Sequence, residues 1–276
     1  CVKMSSSPAS SNSDKTFTVD PSDNLSHATT YKIIVTTGVK DTSGNTLSSQ
    51  YETSSGFTTW SGTQQLGTSS TDTGFDVTLD SSDNIYVTGF TEGDLDNNTN
   101  SGENDIFLVK YNSSGTKQWT QQLGSSRYDY GRGVAVDSSD NIYVTGYTTG
   151  GLDNNTNSGD KDIFLVKYNS SGTKQWTQQL GTSSTDRGRK VAVDSSDNIY
   201  VTGSTEGDLD NNTNSGDNDI ILVKYNSSGT KQWTQQLGSS SNDYGYGVTV
   251  DSSDYIYVTG FTGGGLDGNT NSGNDD

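Results

Sequence analysis

The segment Thr-Gln-Gln-Leu-Gly occurs at 63–67, 120–124, 177–181 and 234–238, each copy 57 residues after the one before. Residues 68–124, 125–181 and 182–238 are therefore full repeats, and 239–276 is a partial fourth. The second and third repeats differ at 10 of 57 positions. A fixed period of this kind means stacked supersecondary units, each completing its core against its neighbours. That pattern outweighs a composition that would otherwise point to disorder, with 27% hydrophobic residues and a net charge of -18.

Each full repeat holds four strand-like runs, here called A to D. In the second repeat they are 133–137, 141–148, 162–169 and 173–180. They are rich in Val, Ile, Tyr, Phe, Trp and Thr, and no helical period is visible. The A–B connection, Asp-Ser-Ser-Asp-Asn, places Asn141 for a left-handed conformation. The C–D connection, Asn-Ser-Ser-Gly, gives Gly172 that role. Both read as tight hairpin turns. Four antiparallel strands per repeat is the unit of a β-propeller blade. Val134, Ala135 and Val136 suit a crowded inner strand. B and C are apolar on both faces, as strands between stacked blades should be, and the Gln-rich D suits a solvated edge. A β-solenoid is the rival architecture, but its rungs are usually shorter and lack these hairpins. The expected fold is all-β: a β-propeller of four-stranded antiparallel blades forming an incomplete ring over 60–276, behind a separate segment at 1–59.

The repeats resemble the SBBP-type bacterial β-propeller repeats. The likeness rests on Val134-Ala-Val-Asp-Ser-Ser-Asp-Asn-Ile-Tyr-Val-Thr-Gly-Tyr-Thr148 and on the later stretch from Leu152 through Asp162-Ile-Phe-Leu-Val-Lys-Tyr-Asn-Ser-Ser-Gly-Thr-Lys-Gln-Trp176. It recurs over about 60–276. The resemblance implies a propeller on a secreted or cell-surface bacterial protein, generally without a defined activity. The turn at 169–176 also resembles the Gly-to-Trp docking turns of quinoprotein propellers. Residues 14–59 alternate Tyr31, Ile33 and Val35 with Lys32, Ile34 and Thr36 between turn signals. They resemble the C-terminal half of an SbsA-type bacterial Ig-like domain, which implies a partial β-sandwich. A strand-rich linker is the alternative.

Both ends read as cut. No initiator Met or signal peptide is present, and Asp276 aligns with Asp105, Asp162 and Asp219, just before strand C. A lipoprotein starting at Cys1 is the other reading. Residues 63–66 match a D strand without its own blade. Open blade edges would favour self-association.

Several function classes fall away. The longest apolar runs are far short of the roughly 20 residues that span a bilayer. A charge of -18 with no basic stripe argues against nucleic acid. One cysteine cannot form an internal disulfide, and His27 alone cannot supply a histidine metal site or a His-based triad. Paired carboxylates can hydrolyse glycosidic bonds, yet near-identical blades give each acid the same surroundings. Catalysis wants two carboxylates in different ones.

Two segments carry candidate sites. The B–C loop presents Asp94, Asp96, Asn98, Asn100 and Asp105 in the first repeat, and Asp208, Asp210, Asn212, Asn214 and Asp219 in the third. Alternating oxygen donors of this kind can hold calcium. Thr99 and Thr213 replace the turn glycine of an EF-hand loop, and Gly151 and Gly265 replace the first acid in the other repeats. An ordinary polar hairpin loop explains the same residues. The second candidate is the D–A loop with the start of strand A, where the repeats diverge most. It holds Tyr128, Tyr130 and Arg132, then Arg187, Arg189 and Lys190, then Tyr244 and Tyr246. Tyr and Arg dominate binding hot spots, so these residues read as a partner or ligand surface, or else as drift in a solvated loop. Asp72, Asp129, Asp186 and Asp243 recur at one position and read as turn caps.

The expectation is a non-enzymatic, extracellular or cell-surface bacterial propeller that binds a protein or glycan through its loop face, with calcium as a candidate stabiliser. The alternative is a propeller hydrolase or lyase acting on polysaccharide.

Overall fold

The computed structural model describes residues 63–273. N-terminal to these it describes 9–11, 16–18, 21–22, 25–26, 29–38, 40, 43–46 and 48–58. Cys1, His27 and Asp276, weighed above, lie outside the described residues. The chain divides into two units, Cys1–Gln65 and Leu66–Asp276. In the first unit, β1 (Ala9–Ser11) pairs with β2 (Thr16–Thr18), and β4 (Ile34–Val35) pairs with β5 (Tyr51–Glu52) inside the pair β3 (Thr30–Tyr31) and β6 (Phe57–Thr58). All are antiparallel. Tyr31 and Val35 are half-buried, whereas Ile33 is exposed, so the expected alternation is only partly realised.

The second unit is a row of antiparallel sheets, one per repeat. They comprise β7 (Asp72–Leu79), β8 (Ile85–Thr91), β9 (Asp105–Tyr111) and β10 (Lys117–Leu123); then β11 (Asp129–Val136), β12 (Ile142–Thr148), β13 (Asp162–Tyr168) and β14 (Lys174–Leu180). The third sheet is β15 (Asp186–Val193), β16 (Ile199–Thr205), β17 (Asp219–Tyr225) and β18 (Lys231–Leu237), and the fourth is β19 (Asp243–Val250) with β20 (Ile256–Thr262). The A strands β7, β11, β15 and β19 stand side by side, each touching the next. The sheets are blades arranged about their inner strands and not closed into a ring.

Three local expectations need correction. Strand A begins at Asp129, not Gly133, because the chain leaves the D–A turn directly into a ladder with β12. The left-handed residue of the A–B turn is Asp140, at φ 59°, not Asn141. Asn141 is held by strand closure, its carbonyl accepting from Asp137 N at 2.9 Å, so the turn must invert one residue earlier. Residues 63–66 make no strand, and Leu66 instead packs beside Leu95 and Phe107. Gly172 takes the expected left-handed conformation, at φ 82°.

The period of two in strands B and C builds the core. Phe164 and Val166 of β13 face Tyr86, Ile106 and Leu108 of the preceding blade. Their neighbours Ile163 and Leu165 face Val191, Val201 and Ile221 of the following one. Each blade thus lends one apolar face to each neighbour, and no blade owns a core.

Polar joints run in the same direction. Ser81 Oγ donates to Asp140 at 3.1 Å, Ser138 Oγ to Asp197 at 3.0 Å and Ser195 Oγ to Asp254 at 3.0 Å. Lys110 and Lys167 Nζ donate to the carbonyls of Ser170 and Ser227 in the next C–D turn. The indoles of Trp119 and Trp176 lie over Gly172 and Gly229 of that same turn, where an added Cβ would meet ring carbons at 3.0 Å.

Candidate functional site

Every inner strand carries a β-bulge near its start. In β11 the pairing with β12 runs Gly131↔Gly146 and then Gly133↔Thr145, leaving Arg132 unpaired. The same slip falls at Phe75 in β7, Arg189 in β15 and Tyr246 in β19. A bulge inserts one residue and re-aims its side chain. The inserted column therefore reads Phe75, Arg132, Arg189, Tyr246 across adjacent strands. Glycine is required beside it: a Cβ at Gly146 would fall 1.8 Å from the carbonyl oxygen of Tyr130.

β11 is the inner edge of its sheet, and its Val134 N–H donates to Asp76 of the preceding blade at 2.8 Å. The same carboxylate binds Lys190 of the following blade. This contact needs Gly133, because a Cβ there would sit 2.9 Å from Lys190 Cα and 3.0 Å from Arg189 O. Strands β11 and β15 thus meet beside the two bulged arginines.

Two aromatic clusters hold those arginines. The Arg132 guanidinium lies 3.8 Å from the Phe75 ring centroid, 5.5 Å from Tyr130 and 5.4 Å from Tyr147, and Nη2 donates to the Tyr147 hydroxyl at 3.1 Å. Phe90 packs edge-on against Tyr130 at 4.9 Å. Arg189 lies 4.8 Å from Tyr246 and 5.8 Å from Tyr244, which pack with Phe261. Burial lowers the Arg189 pKa, and the charges of Arg132 and Arg187 add to that while Tyr246 opposes it.

Five of the seven predicted residues thus fall into these clusters: Tyr130 and Arg132 in one, Arg189, Tyr244 and Tyr246 in the other. Arg187 instead pairs with Glu206 at 3.3 Å. Tyr128 stands apart on the rim, 45% exposed, its backbone tied to Thr149. Phe75, Phe90, Tyr147 and Phe261 were not anticipated. The signal was present: the column at 90, 147, 204 and 261 reads Phe, Tyr, Ser, Phe in otherwise similar repeats.

The recurring Asp at the start of strand A caps the D–A turn. Asp129 Oδ2 accepts from Ser125 N at 2.6 Å and Ser125 Oγ at 2.9 Å. Burial raises its pKa, as it does for Asp186 and for Asp105.

Comparison with known families fits this architecture. The SBBP beta-propeller repeat matches residues 62–96, 118–153, 175–210 and 232–267. The chain belongs to the SBBP beta-propeller repeat family. A bacterial Ig-like domain matches residues 2–59. An uncharacterized WD repeat-containing protein of Acanthamoeba polyphaga mimivirus is 28% identical over 240 residues, covering 68% of this chain and 17% of that protein. Regulatory protein FlaEY of Caulobacter vibrioides is 28% identical over 170 residues, covering 56% of this chain and 18% of its own length. The chain thus spans less than a fifth of either relative.

The B–C loops of the SBBP repeats use most of their oxygens internally, while Oδ1 of Asn100, Asp105, Asn214 and Asp219 is buried without a hydrogen-bond partner among the described residues. Asp94 Oδ1 accepts from Asn100 N at 2.7 Å, and Asp208 Oδ1 from Asn214 N at 2.8 Å. Asp96 binds Lys117 and Thr120, and Asp210 binds Lys231 and Thr234. Asn98 and Asn212 donate to the carbonyls of Leu95 and Leu209 at 2.8 Å, turning those leucines inward. Asp105 and Asp219 accept from Ser101 N and Ser215 N at 2.8 and 2.9 Å. Asn100 and Asn214 donate to Gly102 and Gly216. Among the described residues, no three acidic, histidine or cysteine side chains converge as a metal centre. A cation at Asp96 would compete with Lys117.

Proposed function

We propose that these SBBP repeats form a non-enzymatic binding and scaffold module of an extracellular or cell-surface bacterial protein. The bulge end of the inner strands would recognise a protein or glycan. The carrying observation is the bulge column. Four equivalent strands present Phe, Arg, Arg and Tyr at one inserted position, while the blade joints around them keep their chemistry. Almost all differences between the second and third repeats lie at this end, Phe164 against Ile221 in the core being the exception. Invariant joints with a varied end are what a recognition scaffold requires. The Ig-like match is compatible with a spacer on an exported protein.

The full chain can be screened against immobilised polysaccharides and cell-surface proteins, in parallel with a Phe75→Ser/Arg132→Ser/Arg189→Ser/Tyr246→Ser variant. Loss of a bound partner with unchanged circular dichroism and Tm is expected. A partner retained at full affinity by the folded variant would refute the assignment, as would turnover of any polysaccharide in the panel.

A further inference from the structure

The chain has four arginines, Arg127, Arg132, Arg187 and Arg189, all in the D–A segments of two adjacent repeats. It also has 34 acidic residues, and most of the described lysines pair with one. Lys110, Lys117, Lys167, Lys174, Lys190 and Lys231 each sit within 4 Å of an aspartate. Arg132 and Arg189 do not. Among the described residues no carboxylate pairs with either, and the Nε of each is buried without an acceptor. Two half-buried cations on touching strands, without a carboxylate partner in a chain of charge -18, repel one another and are partly desolvated at their Nε atoms. An anion placed between them relieves both penalties.

Ring stacking sets what kind of anion fits. Phe75 covers one face of the Arg132 guanidinium and Tyr246 lies against Arg189. Stacking occupies the flat faces; with each Nε buried and Arg132 Nη2 bonded to Tyr147, the remaining Nη groups of the two arginines are left to meet a planar carboxylate. Phe75 is 40% exposed and Tyr246 46% exposed, so each ring keeps open surface on the flanks of the arginine pair. An apolar ring face beside a carboxylate clamp suits a sugar acid, whose C–H face covers the ring while its carboxylate meets the arginines.

We propose that Arg132 and Arg189 form a carboxylate-binding site for an acidic sugar, flanked by Phe75 and Tyr246. This rests on the reading of the bulge end as the recognition surface, and names its ligand class. The probe is a tetragalacturonate titrated into the full chain by calorimetry, alongside its methyl ester and an aspartate-rich peptide of equal charge. The acid is expected to bind, its methyl ester at least about tenfold more weakly, and Arg132→Gln and Arg189→Gln each to weaken the acid by about tenfold or more. Phe75→Ala and Tyr246→Ala should weaken the sugar more than the peptide. Equal binding of acid and ester, unchanged binding by the folded glutamine variants, or no binding of the sugar would overturn the proposal. Arginine-dependent preference for the peptide would also reject the sugar but leave the recognition end standing. That end falls separately, if partners from the surface screen ignore the four bulge residues.

Discussion

Lys190 grips Asp76 across Gly133, tying the third inner strand to the first over the backbone of the second. Asp76 also accepts the Val134 N–H of the second inner strand, so its two oxygens serve different strands. The two partners are therefore unequal. Asp76→Ala strands a buried N–H and an ammonium together and should lower stability by about 2–3 kcal/mol. Lys190→Met leaves the Asp76 to Val134 bond in place, and Lys190 is partly solvated, so about 1 kcal/mol or less is expected. Urea unfolding of both variants checks this. Equal losses would show that the ion pair, not the N–H, is the main contribution.

The bulge itself depends on Gly146. An alanine there would overlap the Tyr130 carbonyl, and the clash lies on backbone that cannot yield without breaking the ladder. Gly146→Ala should cost more than about 3 kcal/mol or prevent folding. Tyr147→Ala in the same strand removes only a half-buried side chain and serves as a folded comparison. A Gly146→Ala chain with the denaturation midpoint of the parent would refute the bulge geometry.

Gly172 combines a left-handed backbone with close approach of the Trp119 indole. Gly172→Ala should lose about 1–2 kcal/mol from the backbone alone. It should also displace Trp119, seen as a red shift in tryptophan emission. Gly229→Ala should do the same through Trp176. An alanine variant with a lower midpoint and unchanged emission would mean that the indole does not dock on the turn.

Two sets of aspartates give opposite responses to acid. At Asp80, Asp137 and Asp194 burial pushes the carboxyl up. Hydrogen bonds from the following Asn and from a Tyr hydroxyl outweigh it, holding the pKa below its ordinary value of 3.8. Their stabilisation is present above 3.8 and is lost as pH falls through the depressed values. At Asp105, Asp129 and Asp186 burial dominates and the pKa is raised. The folded chain takes up those protons more readily, so that contribution is complete below 3.8 and fades as pH rises through the raised values. Relief of the acidic self-repulsion adds to the second effect. Denaturation midpoints should therefore rise as pH is lowered from 7 through the raised values, and fall again once pH drops below the ordinary value of 3.8 into the depressed ones. Tyr143→Phe removes a 2.9 Å bond that helps hold Asp137 down, so it should lower the midpoint near neutral pH and flatten the acid loss. A midpoint that falls steadily from pH 7 would contradict this.

What was legible in the sequence is what short-range chemistry encodes. The continuous apolar run of β13 and the Asn-Ser-Ser-Gly turn at Gly172 each depend on a few adjacent residues, and the 57-residue period shows by direct comparison of the copies. The A–B turn was read one residue too late because Asp140 and Asn141 both tolerate a positive φ, and only strand closure chooses between them. The bulge was invisible because Gly131-Arg132-Gly133 reads as a loop until its pairing with Gly146 and Thr145 is known. Phe75 was missed for a further reason. Its ring meets Arg132 from another repeat, a relation apparent only when equivalent positions are placed on touching strands.

The forward-running joints, Ser81 to Asp140, Lys110 to Ser170 and Trp119 to Gly172, recur one period later as Ser138 to Asp197, Lys167 to Ser227 and Trp176 to Gly229. In these joints each junction matches the next, whereas the Asp76 link to Val134 and Lys190 has Gly133 at its equivalent position and does not recur. Unequal recombination between copies would insert or delete a whole unit without creating an unfamiliar boundary at the recurring joints. The bulge residue takes no part in these joints, so lineages could lengthen the array and rewrite its inserted side chains independently.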